Sequence, residues 1–320
     1  MHTIPFIDSP SLRSLLPYDK LIPALQIAFQ NEYIVPQRHH HDYANPKEGI
    51  DSTLLLMPAW QVGRYLGVKM VTVSPNNGDY NLPSIHGIYT LFDAHQGQPL
   101  AFMEAKTLTS LRTAAASALA SSYLSRLDSS KLLMVGTGAM APELIRAHAS
   151  VRPIEEVLVW GRNFSKANQI CKQLGQETFA IKAVKNLSAA IAEVDIISVA
   201  TLSSQSLIHG AWLQAGQHLD LVGSFKPNMR EADDEVIKKS VIFVDVLEGA
   251  TKESGDLVIP LSKGIISSSD IKGDLFDLCS DKRLGRTNTQ EITCFKSVGY
   301  ALEDLAAAIL AYENRHLSID

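Results

Sequence analysis

Two cations stand in apolar surroundings where side-chain stability alone would not place them. Lys69 interrupts the apolar run VKMV at residues 68–71, so it either reaches the edge of a sheet or is buried beside an anionic partner. Arg112 lies in the predicted first turn of an Ala-rich helix that Thr109 or Ser110 would cap. A helix N-terminus and a guanidinium together favour a bound carboxylate. Taken singly, each cation is more often a surface side chain whose charged end reaches water.

A glycine-rich turn follows an apolar strand predicted over residues 132–135. The residues of the turn are Gly136, Thr137, Gly138, Ala139, Met140 and Ala141. Gly136 permits a tight turn, Gly138 lets the backbone approach a pyrophosphate, and Ala141 lets the next helix pack close to the sheet. Pro142 suits the first turn of that helix, whose free N–H groups would face the phosphates. This strand, turn and helix predict a dinucleotide site; the alternative is a glycine turn that binds nothing.

The end of the next predicted strand bears on the choice of cofactor. That strand, VLVWGRN, reaches Trp160 and is followed by Arg162, Asn163 and Lys166. A site for NAD commonly carries Asp or Glu here to bind the ribose 2′-hydroxyl, and this segment has neither. The three polar side chains would instead hold a 2′-phosphate, so we expect NADPH to be preferred, with NADH as a second cofactor. The alternative is that Arg162 lies on the surface or stacks on the adenine.

The histidine and cysteine residues do not follow a metal-binding pattern. The adjacent histidines at 39–41 do not converge as an i, i+4 pair on a helix does, and no ligand-like spacing follows them. Cys171, Cys279 and Cys294 are far apart in the chain. We therefore expect no metal and a solvent-exposed loop at the histidines. The acidic run at 231–235 is expected to start a helix, where acidic side chains complement the helix dipole.

The elements that would position these residues follow two patterns. Apolar residues at helical spacing over 11–31, interrupted by Pro17 and Pro23, predict two short helices. Between residues 53 and 104, β-rich runs separated by Gly, Asn and Pro predict a mainly antiparallel sheet. After Lys131, strands and helices alternate, which predicts a parallel sheet with helices on both faces. The tail over 295–315 predicts one long amphipathic helix.

The expected fold class is α/β, a Rossmann-type doubly wound parallel sheet plus a smaller α+β domain. A length of 320 residues favours two domains, which we place at 1–118 and 119–297, with a C-terminal helix at 298–320. A net charge of -5 without a Lys/Arg-rich run argues against a nucleic-acid partner. No apolar run approaches the roughly 20 residues that cross a bilayer, and no secretion signal is evident. We therefore expect a cytoplasmic protein without a membrane partner.

Many ordered segments together resemble the ornithine cyclodeaminase/mu-crystallin family. The segments span about Pro36 to Asp304 and read LMPAW, GVKMVTV, LPSIHG, LTSLRTAAASA, VGTGAMA, VWGRN, VGSFKPNMREADDE, EGATKESGDL and FKSVGYALED. The resemblance implies a homodimer in which the smaller domain binds substrate and forms the dimer, beside the Rossmann domain. It also implies that the C-terminal helix packs back onto the smaller domain.

The resemblance also implies roles for individual residues. Lys69 and Arg112 match the active-site lysine and arginine of the family, and Arg38 falls where members carry an arginine that binds the substrate carboxylate. The positions that would lie near the cofactor are Thr113, Thr201 and Ser297. His86, at a predicted strand end, either lines the substrate pocket or is structural.

One departure from the family pattern bears on the reaction. Cyclodeaminases and related alanine dehydrogenases carry an Asp two residues after the first Gly of a motif that here reads Gly223-Ser224-Phe225. Because Phe225 accepts no proton, the chain is more similar to members that reduce a ready-made cyclic imine. The alternative is that Glu231 or Asp233 takes the place of that Asp.

The expected reaction is NAD(P)H-dependent reduction of 1-pyrroline-2-carboxylate to L-proline, with 1-piperideine-2-carboxylate as a second substrate. Proline, hydroxyproline or lysine catabolism would each supply such imines. Arg38, Lys69 and Arg112 would hold the substrate carboxylate, and Lys69, or a water bonded to it, would donate the proton. Two alternatives remain: a lyase that converts ornithine to proline and ammonia, and a non-catalytic NADPH-binding protein like the crystallins.

Overall fold

The computed structural model describes residues 3–317 and divides into two compact units. Within that range, the first unit consists of residues 3–113 and 301–317, and the second is Ala114–Tyr300. The sequence places the boundaries at 118/119 and 297/298 instead. The structural division falls inside one continuous helix and at the start of another, so no linker composition marks either boundary.

Strands and helices together make up most of the described chain. The strands are β1 (Phe6–Ile7), β2 (His39–Tyr43), β3 (Ser52–Gln61), β4 (Tyr65–Val73), β5 (Ile85–Asp93), β6 (Pro99–Glu104), β7 (Lys131–Val135), β8 (Glu156–Trp160), β9 (Ala180–Ala183), β10 (Ile196–Val199), β11 (His218–Leu221), β12 (Ser240–Val244), β13 (Ile271–Asp274) and β14 (Ile292–Lys296). The helices are α1 (Ser9–Leu15), α2 (Tyr18–Gln30), α3 (Ala105–Leu124), α4 (Met140–Val151), α5 (Phe164–Gln173), α6 (Leu187–Ala192), α7 (Asp234–Lys239), α8 (Leu247–Glu253), α9 (Gly255–Ser262), α10 (Leu275–Cys279) and α11 (Ala301–Leu317). Over residues 3–317, none of these helices is both long enough and apolar enough to span a membrane.

The first unit is built on one mainly antiparallel sheet, as predicted. Within residues 3–113 and 301–317, its strands follow the order β1-β6-β5-β4-β3-β2. All neighbours pair antiparallel except β1, which runs parallel to β6. The predicted loop at His39–His41 is wrong: these exposed residues are in β2, because their backbones pair with residues 54–56 of β3.

Two short helices precede the sheet, as the sequence predicts. The carboxylate of Asp8 caps α1 by accepting the N–H of Ser11, and Pro17 occupies the N-cap of α2. Of the two prolines, Pro17 lies between the helices, after Leu16, whereas Pro23 lies inside α2. At the other end of the chain, α11 packs against α2 and against β3, β4 and β5. The last helix therefore covers one face of the sheet in the first unit.

The second unit contains the predicted parallel sheet. Within Ala114–Tyr300, the strands follow the order β13-β12-β14-β11-β10-β7-β8-β9 and pair parallel throughout. The chain runs outward from β7 through β8 to β9 and then returns to place β10 on the other side of β7. The carboxyl ends of β7 and β10 therefore form the switch point at which open parallel sheets bind ligands.

The predicted long tail helix is wrong at its beginning. Phe295 and Lys296 are buried residues of β14, and α11 begins only at Ala301. Gly299 separates the two elements with φ of 86°, a conformation that glycine adopts without strain. The sequence did not predict this end of β14, because Lys296 fits the polar face of an amphipathic helix. In the structure, Lys296 is buried and donates to the carbonyl of Leu221 at 2.9 Å.

A polar network lies within the core of the second unit. His148 Nε2 and Ser198 Oγ contact Asp220 Oδ2 at 3.0 and 2.7 Å, and His218 Nδ1 lies 3.0 Å from Thr293 Oγ1. His218 is fully buried, and burial lowers its pKa to about 3, although Asp220 opposes the shift. His218 is therefore neutral in the folded protein over the physiological pH range.

The depressed pKa of His218 predicts a loss of stability in acid. An unfolded histidine titrates near pH 6.5. The contribution of His218 to the free energy of unfolding is therefore complete above that pH and decreases as pH falls toward 3. In His218→Asn, the free energy of unfolding should depend less steeply on pH below 6, by up to about 1.4 kcal/mol per pH unit. Denaturant unfolding between pH 4 and 7 measures the slope. His95→Asn, which removes an exposed histidine, should leave the slope unchanged; equal slopes in all three proteins would contradict the assignment.

Candidate active site and cofactor-binding turn

Lys69 is buried in the first unit beside a carboxylate. It lies on β4 opposite Met57 of β3 and Tyr89 of β5, and only 3% of its surface is exposed. Its Nζ is 2.7 Å from Asp304 Oδ2 on α11 and 3.4 Å from Thr109 Oγ1. Of the two locations that the sequence left open, the buried one with an anionic partner is therefore confirmed.

Arg112 joins the same carboxylate from α3. Its Nε donates to Asp304 Oδ1 at 2.9 Å, and its Nη1 donates to Glu303 Oε2 at 2.5 Å. The predicted position in a first helical turn is wrong, because α3 begins at Ala105 and Glu104 accepts its first N–H groups. Arg112 is the eighth residue of α3, so the free end of the helix adds nothing to its attraction for an anion. Its position in the site depends on the two acids instead.

Burial and the surrounding charges set the protonation of this cluster. Burial lowers the pKa of Lys69 to about 8, assisted by Arg112 and Arg38 and opposed by Asp304. Burial acts to raise the pKa of Asp304, but Arg112 and Lys69 hold it below its usual value. Burial also acts to lower the pKa of Arg112, but Asp304 and Glu303 raise it above its usual value. Near neutral pH the cluster thus contains two cations and two anions.

Arg38 and His86 occupy different positions relative to this cluster. Arg38 is half-buried before β2 and close enough for its charge to act on Lys69. His86 pairs with Thr72, so it projects from the sheet face opposite Lys69 and is exposed. His86 therefore does not face Lys69 within the first unit, and its place in the substrate pocket stays a prediction.

The acids of this cluster were not identified from the sequence. Glu303 and Asp304 are fully buried near the start of α11. Two adjacent acids within the apolar run Ala301-Leu302-Glu303-Asp304-Leu305 are a usable signal, because buried charges require partners. Two adjacent acids in an apolar run predict a buried ion-pair site, but they do not indicate which cations take part in it.

In the second unit, the turn after β7 has the geometry that a pyrophosphate requires. Gly136 has φ of 124°, and a β-carbon there would collide with the carbonyl oxygen of Ala200. A β-carbon on Gly138 would meet nothing within 4 Å, so its exposed backbone is open to a ligand. The N-cap of α4, Ala139, provides no side-chain hydrogen bond, and Thr137 and Met140 flank these residues. The free N–H groups of α4 and the open glycine therefore fit a dinucleotide phosphate.

The residues after β8 are arranged around the start of α5. Asn163 is the N-cap of α5, and its side chain accepts the N–H groups of Ser165 and Lys166. Arg162 and Lys166 are exposed, and in residues 3–317 neither side chain forms an ion pair. Two cations without acidic partners beside a Rossmann strand end leave positive charge for a ligand phosphate.

The loops after β10, β11 and β14 contain the remaining positions that the sequence indicated. Thr201 follows β10, and its N–H and hydroxyl group donate to Glu231 Oε1 at 2.7 and 2.9 Å. Ser297 follows β14 and donates to Asp245 Oδ2 at 3.2 Å. In the first unit, Thr113 is buried on α3. Thr201 and Ser297 are therefore hydrogen-bonded to buried acids of the protein, Glu231 and Asp245.

The acidic run at 231–235 contains two kinds of residue. Asp233 and Asp234 begin α7 as predicted, with Asp233 as its N-cap. Glu231 is fully buried and bonds to other loops, so the prediction that it starts a helix is wrong. Phe225 is 43% exposed. Over residues 3–317, no group of three or more His, Cys, Asp or Glu side chains is arranged to hold a metal.

Comparison with known proteins agrees with these features. Residues 10–318 match the ornithine cyclodeaminase/mu-crystallin family. The Delta(1)-pyrroline-2-carboxylate reductase of Colwellia psychrerythraea is 34% identical over 305 residues, covering 94% of this chain and 96% of that protein.

Two solved structures share the whole fold. The Delta(1)-pyrroline-2-carboxylate reductase of Thermococcus litoralis in complex with NADH and L-proline has a TM-score of 0.91 at 33% identity and covers 98% of each chain. An archaeal alanine dehydrogenase dimer with bound NAD has a TM-score of 0.90 at 28% identity and covers 99% of this chain and 97% of the other. The chain therefore belongs to the ornithine cyclodeaminase/mu-crystallin family.

Proposed function

We propose that this protein is an NAD(P)H-dependent reductase of a cyclic imine carboxylate, with 1-pyrroline-2-carboxylate reduced to L-proline as its main reaction. The observation that carries the proposal is the buried cluster in which Asp304 holds both Lys69 and Arg112. Burying two cations has a desolvation cost that paired acids offset incompletely, so an apolar core would serve stability as well and a functional role is the better explanation. Relatives in sequence and in structure that are named for this reaction support the assignment.

The residues of the first unit match what the substrate requires. Arg38 lies close enough for its charge to act on Lys69 and is assigned to the substrate carboxylate, and Arg112 provides a rigid guanidinium already oriented by Asp304. Lys69 has three N–H donors, of which Asp304 and Thr109 occupy two. The third donor is available to the substrate.

Reduction of the imine requires one hydride and one proton. A bound nicotinamide supplies the hydride to the imine carbon. Lys69 donates the proton to the ring nitrogen, because a pKa of about 8 keeps it protonated near neutral pH yet makes proton transfer easier than from an ordinary lysine. The product is the saturated cyclic amino acid.

Phe225 distinguishes this reaction from the lyase alternative. Conversion of ornithine to proline requires a group that exchanges protons with an amine as ammonia leaves, and a phenyl ring exchanges none. Glu231, the acid named as a substitute, has its carboxylate bound to the backbone of residues 201, 223 and 224. Reduction of a ready-made imine therefore suits these residues better.

We assign NADPH as the preferred cofactor, with NADH as the second. The exposed cations Arg162 and Lys166 support this preference, as does the lack of an acid at residues 160–166. Arg162→Ala should raise KM for NADPH at least about tenfold, since a charged hydrogen bond contributes about 1.5–3 kcal/mol, and should leave KM for NADH nearly unchanged. Steady-state kinetics with both cofactors measure the two values. Lys172→Ala, which removes an exposed lysine near the end of α5, is the control; equal effects on both cofactors would contradict the assignment.

A homodimer is part of the proposal. The sheet face opposite α11 has no helix on it within the described first unit, and its side chains are apolar and partly exposed. These side chains include Phe6, Leu54, Leu56, Trp60, Met70 and Phe92. A second copy would cover this face, and the dimer named for the archaeal relative supports this. Light scattering should give the mass of two chains.

A steady-state assay tests the activity directly. The protein is mixed with 1-pyrroline-2-carboxylate or 1-piperideine-2-carboxylate and either NADPH or NADH, and cofactor oxidation is followed. Absence of oxidation with both rings would disprove the reductase. Release of ammonia from ornithine without net cofactor consumption would favour the lyase, and tight cofactor binding without turnover would favour a binding protein.

A further inference from the structure

Glu231 joins two loops at the carboxyl edge of the parallel sheet. Its Oε1 accepts the N–H and the hydroxyl of Thr201, which follows β10. Its Oε2 accepts the N–H groups of Gly223 and Ser224, which follow β11, at 2.7 and 3.2 Å. One carboxylate therefore satisfies four donors from two neighbouring loops.

These loops are in direct contact with the dinucleotide turn. A β-carbon on Gly136 would collide with the carbonyl oxygen of Ala200, and one on Gly223 would collide with the backbone of Thr201. The turn after β7, the loop after β10 and the loop after β11 are therefore packed with no space for a side chain between them. A displacement of the loop after β10 or of the loop after β11 would therefore change the side of the switch point that these loops form.

Glu231 is itself held in place by the protein. Its own N–H donates to Asp256 Oδ1 at 2.7 Å, and its carbonyl accepts the N–H groups of Leu207 and Ile208. Burial raises the pKa of Glu231 to about 7; Lys296 opposes the shift and Asp256 adds to it. Burial of Glu231 has a desolvation cost that exposed acids at a helix start do not have. Its hydrogen bonds go to the two loops that lie next to the turn after β7.

We propose that Glu231 is a positioning residue of the reductase: its carboxylate fixes the loops after β10 and β11 in the conformation that receives the nicotinamide half of the cofactor. The assignment rests on the proposed nicotinamide-dependent function. Glu231 acts through the backbone of Thr201, Gly223 and Ser224 and does not touch the reacting atoms. The adenine half would be held at Gly138, the start of α4 and the cations after β8, beyond the contact of Gly136 with Ala200, so its binding should depend much less on Glu231.

The test compares binding of NADH and of ADP, which lacks the nicotinamide ribose, by calorimetry at pH 8. Glu231→Gln presents an amide NH₂ group to N–H donors, so it loses two of the four bonds. Its Kd for NADH should rise at least about tenfold, the effect of leaving buried donors unsatisfied, while its Kd for ADP changes less than about twofold. Equal weakening of both ligands, or of neither, would overturn the proposal.

Three further measurements make the result specific. Glu235→Gln makes the same chemical change at an exposed residue of α7 and should change neither Kd. In the wild type, NADH binding should weaken as pH falls through about 7, and Glu231→Gln should lack this dependence; a pH-independent wild type would count against the proposal. If Glu231→Gln does not fold, Thr201→Val removes the hydroxyl bond to Glu231, together with the longer bond that the hydroxyl accepts from the N–H of Ser203 at 3.4 Å, and should weaken NADH alone.

The binding experiment is independent of the imine. A wild type that oxidises no NADPH or NADH with either imine would refute the proposed activity, whereas the difference between NADH and ADP in Glu231→Gln would remain measurable. If the wild type reduces the imine but Glu231→Gln changes the Kd for NADH and the Kd for ADP equally, only the proposed role of Glu231 would be refuted.

Discussion

Replacing Lys69 with Met is expected to lower kcat/KM for 1-pyrroline-2-carboxylate about a thousandfold, because a positioned general acid contributes roughly 10²–10⁴ in rate. A thousandfold loss corresponds to about 4 kcal/mol of transition-state stabilisation. Met has nearly the shape of the lysine stem, so the packing against Met57 and Tyr89 is retained. Arg112 keeps both of its acidic partners, Glu303 and Asp304, so the variant should fold.

The pH dependence of the same variant identifies the proton donor. In the wild type, kcat/KM should fall as pH rises through about 8, the pKa of Lys69, because the ammonium group loses the proton that it donates. Lys69→Met should lack this decrease. Lys106→Met, which removes an exposed lysine of α3, should retain both the rate and the pH profile. A Lys69→Met enzyme with more than about a tenth of wild-type kcat/KM would contradict proton donation by this residue.

The sequence was most informative where function depends on local geometry. The turn at Gly136 could be predicted because strand, glycines and helix are consecutive, and each has a separate physical reason. The antiparallel sheet could be predicted because its β-rich segments and the turn residues between them are also consecutive in the chain. Lys69 could be identified as unusual because a charge within an apolar strand requires an explanation.

The residues that complete the site could not be predicted, because they meet only in the folded chain. Asp304 reaches Lys69 because α11 returns across β3, β4 and β5 from the far end of the sequence. Glu231 was assigned to a helix start because acids favour that position, and only its contacts with Gly223 distinguish it from Asp233. Lys296 was assigned to a helix because a fully buried lysine in a strand is rare.

Asp304→Asn is expected to lower kcat/KM at pH 7 about a hundredfold and the free energy of unfolding by about 3 kcal/mol, because removing one partner of a buried ion pair leaves an uncompensated charge. Asp304 is the group that opposes the depression of the Lys69 pKa. Without it, Lys69 loses the carboxylate that stabilises its charged form, while Arg112 and Arg38 still act to lower its pKa. Lys69 should then lose its proton below neutral pH, and the decrease in kcat/KM should move to lower pH by more than about one unit.

Glu303→Gln separates this effect from a general loss of stability. Glu303 bonds to Arg112 and leaves the contact between Asp304 and Lys69 intact. We therefore expect Glu303→Gln to destabilise the protein comparably while keeping the pH at which kcat/KM decreases near 8. The comparison requires pH–rate profiles and denaturant unfolding for both variants. If Asp304→Asn kept the wild-type pH profile, Asp304 would not control the proton on Lys69, and its burial beside two cations would serve stability alone.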